Sequence, residues 1–207
     1  MPMSAYNQNI RQFLTDAASS SPTPGGGSIA ALAAALGASM GAMVANLTTG
    51  PKFAAAETQM IALAGQMNQA IGEFEHLIRE DIDSFQAYMN ALGMPKSSPE
   101  EKAARSSALM QAAAAAAEVP FRLMSRCVGL MRLLGEAAGQ VNKNVASDHG
   151  IALIMLEAAV QSAWLTAEIN LPGMKNDELS AHYREQGGAW IAEARLLKER
   201  CLTNWAH

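Results

Sequence analysis

Large apolar residues recur at helical spacing along almost the whole chain, and the polar breaks between them are short. One stretch from Ser21 to Leu47 carries no charged residue. Within it Ile29, Leu32, Leu36, Met40, Met43 and Leu47 are spaced 3, 4, 4, 3 and 4 apart, one stripe of an α-helix. Ala, Gly and Ser fill most other positions. Such a helix has one bulky and one smooth face, and the pattern predicts packing on both. Gly37 and Gly41 form a G-x-x-x-G step that lets a neighbouring backbone come close. The helix starts at Gly25-Gly26-Gly27-Ser28, capped by Ser28 or by the glycines, after an approach stiffened by Pro22 and Pro24.

The other elements follow by the same reading. Residues 4–19 predict a short amphipathic helix with Ile10, Phe13, Leu14 and Ala17 on one side. Thr48-Thr49-Gly50-Pro51 turns the chain. Residues 52–92 form one or two helices, with Gly65 and Gly72 as weak points. The second half of that run carries the stripe Phe74, Ile78, Asp81, Phe85, Tyr88, Leu92, in which Asp81 interrupts an apolar face. The junction Gly93–Glu101 holds Lys96 and a helix start, with Ser98 as N-cap, Pro99 at the first position and Glu101 closing a capping box. The next helix is expected to kink or restart at Pro120 and to end near Gly139. A second junction, Gly139–Gly150, offers Ser147 or Asp148 as N-cap. Asp148 also heads the stripe Ile151, Met155, Ala158, Ser162, Leu165, Ile169, which predicts a second carboxylate on an interior face. A third junction, Asn170–Asp177, opens a last helix to about Trp205, with a bend expected at Gly187-Gly188.

The expected fold is therefore all-α: an antiparallel bundle of long helices in a single domain over residues 1–207. Short junctions make neighbouring helices antiparallel, so the glycine entry, Lys96 and the Asn144/Asp148 turn need not share one end of a subunit. A second subunit is then able to complete the constellation, and the smooth Ala/Gly faces suit a close homodimer seam as well as they suit packing within one subunit.

Composition narrows the function classes. Half of the 207 residues are hydrophobic and 5% aromatic, and few Val/Ile/Thr/Tyr clusters favour strands. A net charge of −4 without a basic run argues against a nucleic-acid partner. The run to Leu47 is long enough for a bilayer, about 20 residues, but Ala, Gly and Ser dominate it and no aromatic belt flanks it; no membrane partner is expected. Cys127 and Cys201, in a chain without a signal-peptide pattern, read as reduced thiols of a cytoplasmic protein. The four histidines lack metal-ligand spacing, so no metal is expected.

Three features carry candidate chemistry. A glycine loop entering a helix offers free N–H groups and a positive dipole end to an anion or carbonyl oxygen; a buried core helix with a flexible entry accounts for the same residues. A carboxylate in a core stripe costs several kcal/mol unless paired or protonated, leaving Asp81 either a catalytic or ligand-binding group or half of an ion pair. Lys96 and Asp148 are candidates by position, against the plainer readings of a solvated lysine and an ordinary cap.

Pro22-Thr23-Pro24-Gly25-Gly26-Gly27-Ser28, followed by Met43-Val44-Ala45-Asn46-Leu47-Thr48, closely resembles the opening of the cyclodeaminase/cyclohydrolase family of folate enzymes. Further matches come in the family's order. Asp81 with Phe85, Met94-Pro95-Lys96 with Glu100-Glu101-Lys102, Val119-Pro120, and the run from Asn142 through Asn144, Ser147 and Asp148 to Gly150 extend the resemblance over about Phe13 to Ala194. It implies an all-α, cytoplasmic homodimer with a folate cleft near a subunit boundary, acting on a one-carbon unit at N5 and N10 of tetrahydrofolate without a further cofactor. As catalytic residues it implies Asp81, Lys96 and Asp148. As substrate-binding residues it implies Pro24, Gly25, Gly26, Gly27, Ser28, Asn46, Lys52, Phe85, Asn142, Asn144 and Ser147. One departure stands out. The family often follows its N-L-T-x-G with lysines and a tyrosine, where this chain has Gly50-Pro51-Lys52-Phe53, so Lys52 is the remaining candidate for an anionic glutamate tail. The resemblance implies hydrolysis of 5,10-methenyltetrahydrofolate first, formimidoyltetrahydrofolate cyclodeamination second; a silent folate-binding bundle is the third reading.

Overall fold

Small residues, not large ones, decide how the central helix packs. The computed structural model describes residues 5–205, and all regular elements among them are helical. They are α1 (Ile10–Ala17), α2 (Gly26–Asn46), α3 (Glu57–Leu92), α4 (Pro99–Ala137), α5 (Ala146–Met174) and α6 (Asp177–Trp205), with 3-10 turns at Ala5–Asn7, Pro51–Ala56, Ala138–Gln140 and Lys143–Val145. On α2 the buried residues are Ala30, Ala31, Ala34, Ala35, Ala38, Ala42, Val44 and Ala45 with Gly27, Ser28, Gly37 and Gly41. A Cβ on Gly37 would lie 2.9 Å from Leu156 of α5, and one on Gly41 2.9 Å from Met67 of α3. The G-x-x-x-G step is thus used twice, once for each neighbour.

The bulky stripe of α2 is consequently turned outward. Ile29, Leu36 and Leu47 are exposed, and Leu32, Met40 and Met43 are half-buried. The expectation that this stripe is packed fails within one chain, because α3 and α5 approach the smooth side. The same correction applies to α5. Ile151, Leu165 and Ile169 are exposed, so Asp148 heads an outward stripe rather than an interior one. The interior of α5 is formed by Ala152, Leu153, Leu156, Ala159, Val160 and Ala163. By length and hydropathy, α2 and residues 143–174 each suffice to cross a bilayer, but in the bundle both bury their Ala-rich sides against other helices.

Side-chain pairs fix the topology. Arg126 binds Glu73 at 2.6 Å and Arg122 binds Glu80, so α3 and α4 run antiparallel. Across α5 and α6, Glu157 pairs with Lys198 at 3.2 Å and Glu168 with Arg184 at 3.2 Å, again antiparallel. Glu157 is buried, so Lys198 neutralises a carboxylate that would otherwise disfavour docking of α6. Gly187 does not visibly end or interrupt α6; its missing side chain leaves room for the Trp164 ring, whose Cε3 would lie 2.5 Å from an added Cβ.

Helix ends match some expectations and correct others. Ser98, Pro99 and Glu101 form the full capping box. Gly65 and Gly72 leave α3 continuous. The N-terminal segment is shorter than residues 4–19, with Asn9 capping α1. Pro120 does not restart α4, which is assigned helical throughout. The Ala116 carbonyl that Pro120 cannot serve accepts a hydrogen bond from the Asn170 amide of α5 at 3.4 Å. Pro172 likewise lies inside α5, which ends at Lys175 in the left-handed conformation (φ 48°). Neither Ser147 nor Asp148 is the N-cap of α5; Val145 is, and both polar residues lie in the first turn.

Candidate active site

The first turn of α2 leaves backbone N–H groups without helical acceptors, and Asp81 of α3 fills that position. Gly25 is the N-cap, so Gly26, Gly27 and Ser28 are the first three helical residues. The Ser28 hydroxyl donates to Asp81 Oδ2 at 2.8 Å, and the Ser28 backbone N–H donates to the same carboxylate. Gly27 is what admits it: a Cβ there would lie 2.6 Å from Asp81 Cγ. The anion seat offered by the glycine loop is therefore taken by the protein's own carboxylate.

Opposing effects set the protonation of Asp81. Burial raises its pKa above 3.8, and the two hydrogen bonds from Ser28 pull it part of the way back. The side chain is half-buried, and no cation pairs with it among the described salt bridges. Along its stripe Phe74 and Ile78 are buried while Phe85 and Tyr88 are half-buried, so the apolar wall opens toward solvent at the level of Asp81. A desolvated carboxylate in that setting is suited to two tasks: facing a cationic ligand and accepting a proton.

The remaining residues, Lys96 apart, divide between two places. Pro24, Gly25, Gly26, Gly27, Ser28, Asp81 and Phe85 belong to the N-terminal end of α2. Thr166, which sequence reasoning passed over, stands beside them; its Oγ1 would lie 3.5 Å from a Cβ on Gly26. A lone threonine in an apolar helix gives no signal of its own. Asn46, Lys52, Asn142, Asn144, Ser147 and Asp148 belong to the C-terminal end, roughly 30 Å away along α2. There Asn142 makes three hydrogen bonds: its amide donates to the Leu47 carbonyl at 2.9 Å, its N–H to Thr48 Oγ1 at 3.1 Å, and its Oδ1 accepts from Asn144 N–H at 3.1 Å. Asn46, Lys52, Asn144 and Ser147 are exposed and Asp148 is half-buried. Beside them His149 is buried, its Nε2 3.0 Å from the Leu134 carbonyl near the end of α4. Burial holds its pKa below 6.5, so the neutral ring donates from Nε2. Lys96 joins neither group; it is exposed in the α3–α4 loop, and α3 continues eleven residues past Asp81 to Leu92, about 16 Å of helix.

Both cysteines are free, Cys127 buried and Cys201 half-buried. Among the described residues, no three His, Cys, Asp or Glu side chains converge as metal ligands.

The fold is that of an all-helical antiparallel bundle, and the solved structures contain a counterpart that matches it over most of both chains. A formiminotetrahydrofolate cyclodeaminase from Thermotoga maritima superposes with a TM-score of 0.78 at 26% identity, covering 95% of this chain and 92% of that one. The chain belongs to the formiminotransferase-cyclodeaminase family, whose model matches residues 9–188. It is 34% identical over 203 residues to a methenyltetrahydrofolate cyclohydrolase from Methylorubrum extorquens, covering 95% of each chain. It is 32% identical to a formimidoyltransferase-cyclodeaminase from Sus scrofa, spanning 93% of this chain but 36% of that longer protein.

Proposed function

We propose that the protein hydrolyses 5,10-methenyltetrahydrofolate to 10-formyltetrahydrofolate, with Asp81 as the central group. The observation that carries this reading is the half-buried, cation-free carboxylate held on the α2 N-terminus by Ser28. Its likeness over nearly its full length to a cyclohydrolase supports the choice of reaction. The methenyl bridge is a delocalised cation between N5 and N10, and an anionic Asp81 stabilises it at close range. Water attacks the bridge carbon and forms a C–O bond while Asp81 takes the water's proton. That proton then passes to N5, the C–N5 bond breaks as the adduct's hydroxyl releases its proton to solvent and becomes the formyl oxygen, and the formyl group stays on N10. Water and the folate are the only reactants.

We also propose that two chains form the working unit. α2 and α5 pack side by side, and each turns a bulky apolar stripe outward. Leu36 lies at the midpoint of α2, so a two-fold axis there makes the face self-complementary. Such an axis sets the Asn144–Asp148 turn of a second copy against the Gly25–Asp81 end of the first. Lys96 is on the α3–α4 hairpin, which extends past that end. In this arrangement Asp148 is a second acid–base group, Asn144 holds the pterin ring, and Lys96 orients the water or the departing oxygen. Leu36→Glu splits the dimer by sedimentation and removes activity; a variant that sediments as the wild type does and stays active would reject this face.

The competing reading, cyclodeamination of 5-formimidoyltetrahydrofolate with release of ammonia, is favoured by the Thermotoga counterpart. One assay separates the two. Loss of the near-ultraviolet band of 5,10-methenyltetrahydrofolate above the uncatalysed rate supports hydrolysis. Appearance of that band from 5-formimidoyltetrahydrofolate supports deamination, and neither response leaves a binding protein.

A further inference from the structure

A slot lies beside the Asp81 seat that none of the residues assigned above explains. It is lined by Tyr6, Gln8 and the α1 residues Ile10, Phe13 and Leu14 on one side, and by Leu32 of α2 and Ile78 of α3 on the other, with a volume of about 220 Å³. Leu32 is four residues after Ser28 and Ile78 three before Asp81, so each slot residue shares a helix face with a member of the Ser28–Asp81 pair. The slot therefore continues the same α2–α3 seam, one helical turn, about 5 Å, deeper than the carboxylate. Its wall is loosely built. α1 buries only Phe13 and leaves Ile10 79% and Leu14 58% exposed.

We infer that this slot holds the aminobenzoyl ring of the folate whose one-carbon bridge meets Asp81, an assignment that rests on the function proposed above. The ring is bonded directly to N10, so with the bridge carbon at Asp81 it must lie one ring's length away. An apolar cavity of about 150 Å³ is enough to bind benzene, and the slot has room for one substituted ring but not for a whole folate. Its lining also chooses between the two aromatic parts of the ligand. The pterin carries a polar edge needing several hydrogen-bond partners, whereas the slot is walled mainly by Ile, Phe and Leu; of its two polar side chains, Gln8 already donates to Asp16 at 3.0 Å and the Tyr6 hydroxyl to the Ile71 carbonyl at 2.9 Å. Leu32 and Phe13 are then positioning residues, and the N-terminal segment is part of the binding site.

Leu32→Trp fills the slot. With 5,10-methenyltetrahydrofolate it raises KM about tenfold or more, the worth of one buried ring, while kcat stays within about twofold. A methenyl-tetrahydropterin bearing methyl on N10 instead of the aminobenzoyl group shows the same kinetics with wild type and variant. Should Leu32→Trp not fold, Ile10→Trp narrows the same slot from an exposed position and is read in the same way. An unchanged KM for the intact folate, or equal slowing of both substrates, overturns the assignment. If the wild type turns over no folate, the proposed reaction fails separately. Calorimetry with 4-aminobenzoylglutamate then still decides the slot: binding to wild type and not to Leu32→Trp supports it, and no difference between them rejects it.

Discussion

The two ends of α2 are built from similar materials and held in opposite ways. At the C-terminal end every polar group that ties the junction is matched. Thr48 is buried, its hydroxyl donating to the Val44 carbonyl at 2.8 Å while accepting the Asn142 N–H, and the Asn142 side chain serves both Leu47 and Asn144. At the N-terminal end one carboxylate sits in a partly dry position with donors from Ser28 and no paired cation among the described residues, and its pKa is raised. The first arrangement stabilises the fold. The second costs stability, and the role proposed for Asp81 in the reaction accounts for that cost.

The sharpest way to break the comparison is Gly27→Ala. The new methyl group takes the place of the Asp81 carboxylate, and displacement of a reacting group by about 1 Å costs on the order of 100-fold in rate. Steady-state kinetics should show at least that loss with the helical circular-dichroism spectrum intact. Wild-type activity in this variant would mean that the seat is incidental.

Next in size is Asn142→Ala at the other end. It strips partners from the Leu47 carbonyl and the Asn144 N–H, both open to water, a loss of about 0.5–1.5 kcal/mol, read as a lower urea midpoint. An unchanged midpoint would show that the junction is not held by this side chain.

The smallest effect is the pH dependence contributed by His149. Its folded pKa lies below the unfolded 6.5, so the unfolded chain binds the proton more readily. The contribution to stability is complete above pH 6.5 and is lost as the pH falls from there toward the folded value. Comparing urea midpoints at pH 7.5 and 5.5 for wild type and His149→Gln should show a smaller drop in the variant; an equal drop would assign it to other groups.

Much of this contrast was legible in the sequence. Helical periodicity delivers the all-α bundle and its long helices, and Ser98-Pro99-x-Glu101 marks the start of α4 to the residue. Asp81 is conspicuous because a carboxylate breaks an apolar stripe, and the glycine loop because three consecutive glycines precede a helix. What periodicity does not reveal is which face of an amphipathic helix turns inward. The bulky stripes of α2 and α5 look like core, yet Gly37 and Gly41 bring neighbouring helices onto the smooth side and leave Leu36 and Ile151 outside. Proline rules mislead for a similar reason. Pro120 is accommodated inside α4 because Asn170, fifty residues later, donates to the carbonyl it abandons. Nor does the sequence reveal that Asp81 and the glycine loop meet, since 53 residues separate Ser28 from its acceptor.

The central claim is that Asp81 is kept at a cost to stability because the reaction needs it. Its folded pKa lies above 3.8, so the ionised form is disfavoured by folding. The penalty is absent well below pH 3.8 and complete once the pH exceeds the folded value. Asp81→Asn removes the charge and keeps the shape, and one protein preparation at pH 7 supplies both readings. The account predicts a fall in kcat/KM for 5,10-methenyltetrahydrofolate of about 10³-fold together with a higher melting temperature than wild type. Near-normal turnover, or a variant that melts lower, would contradict it.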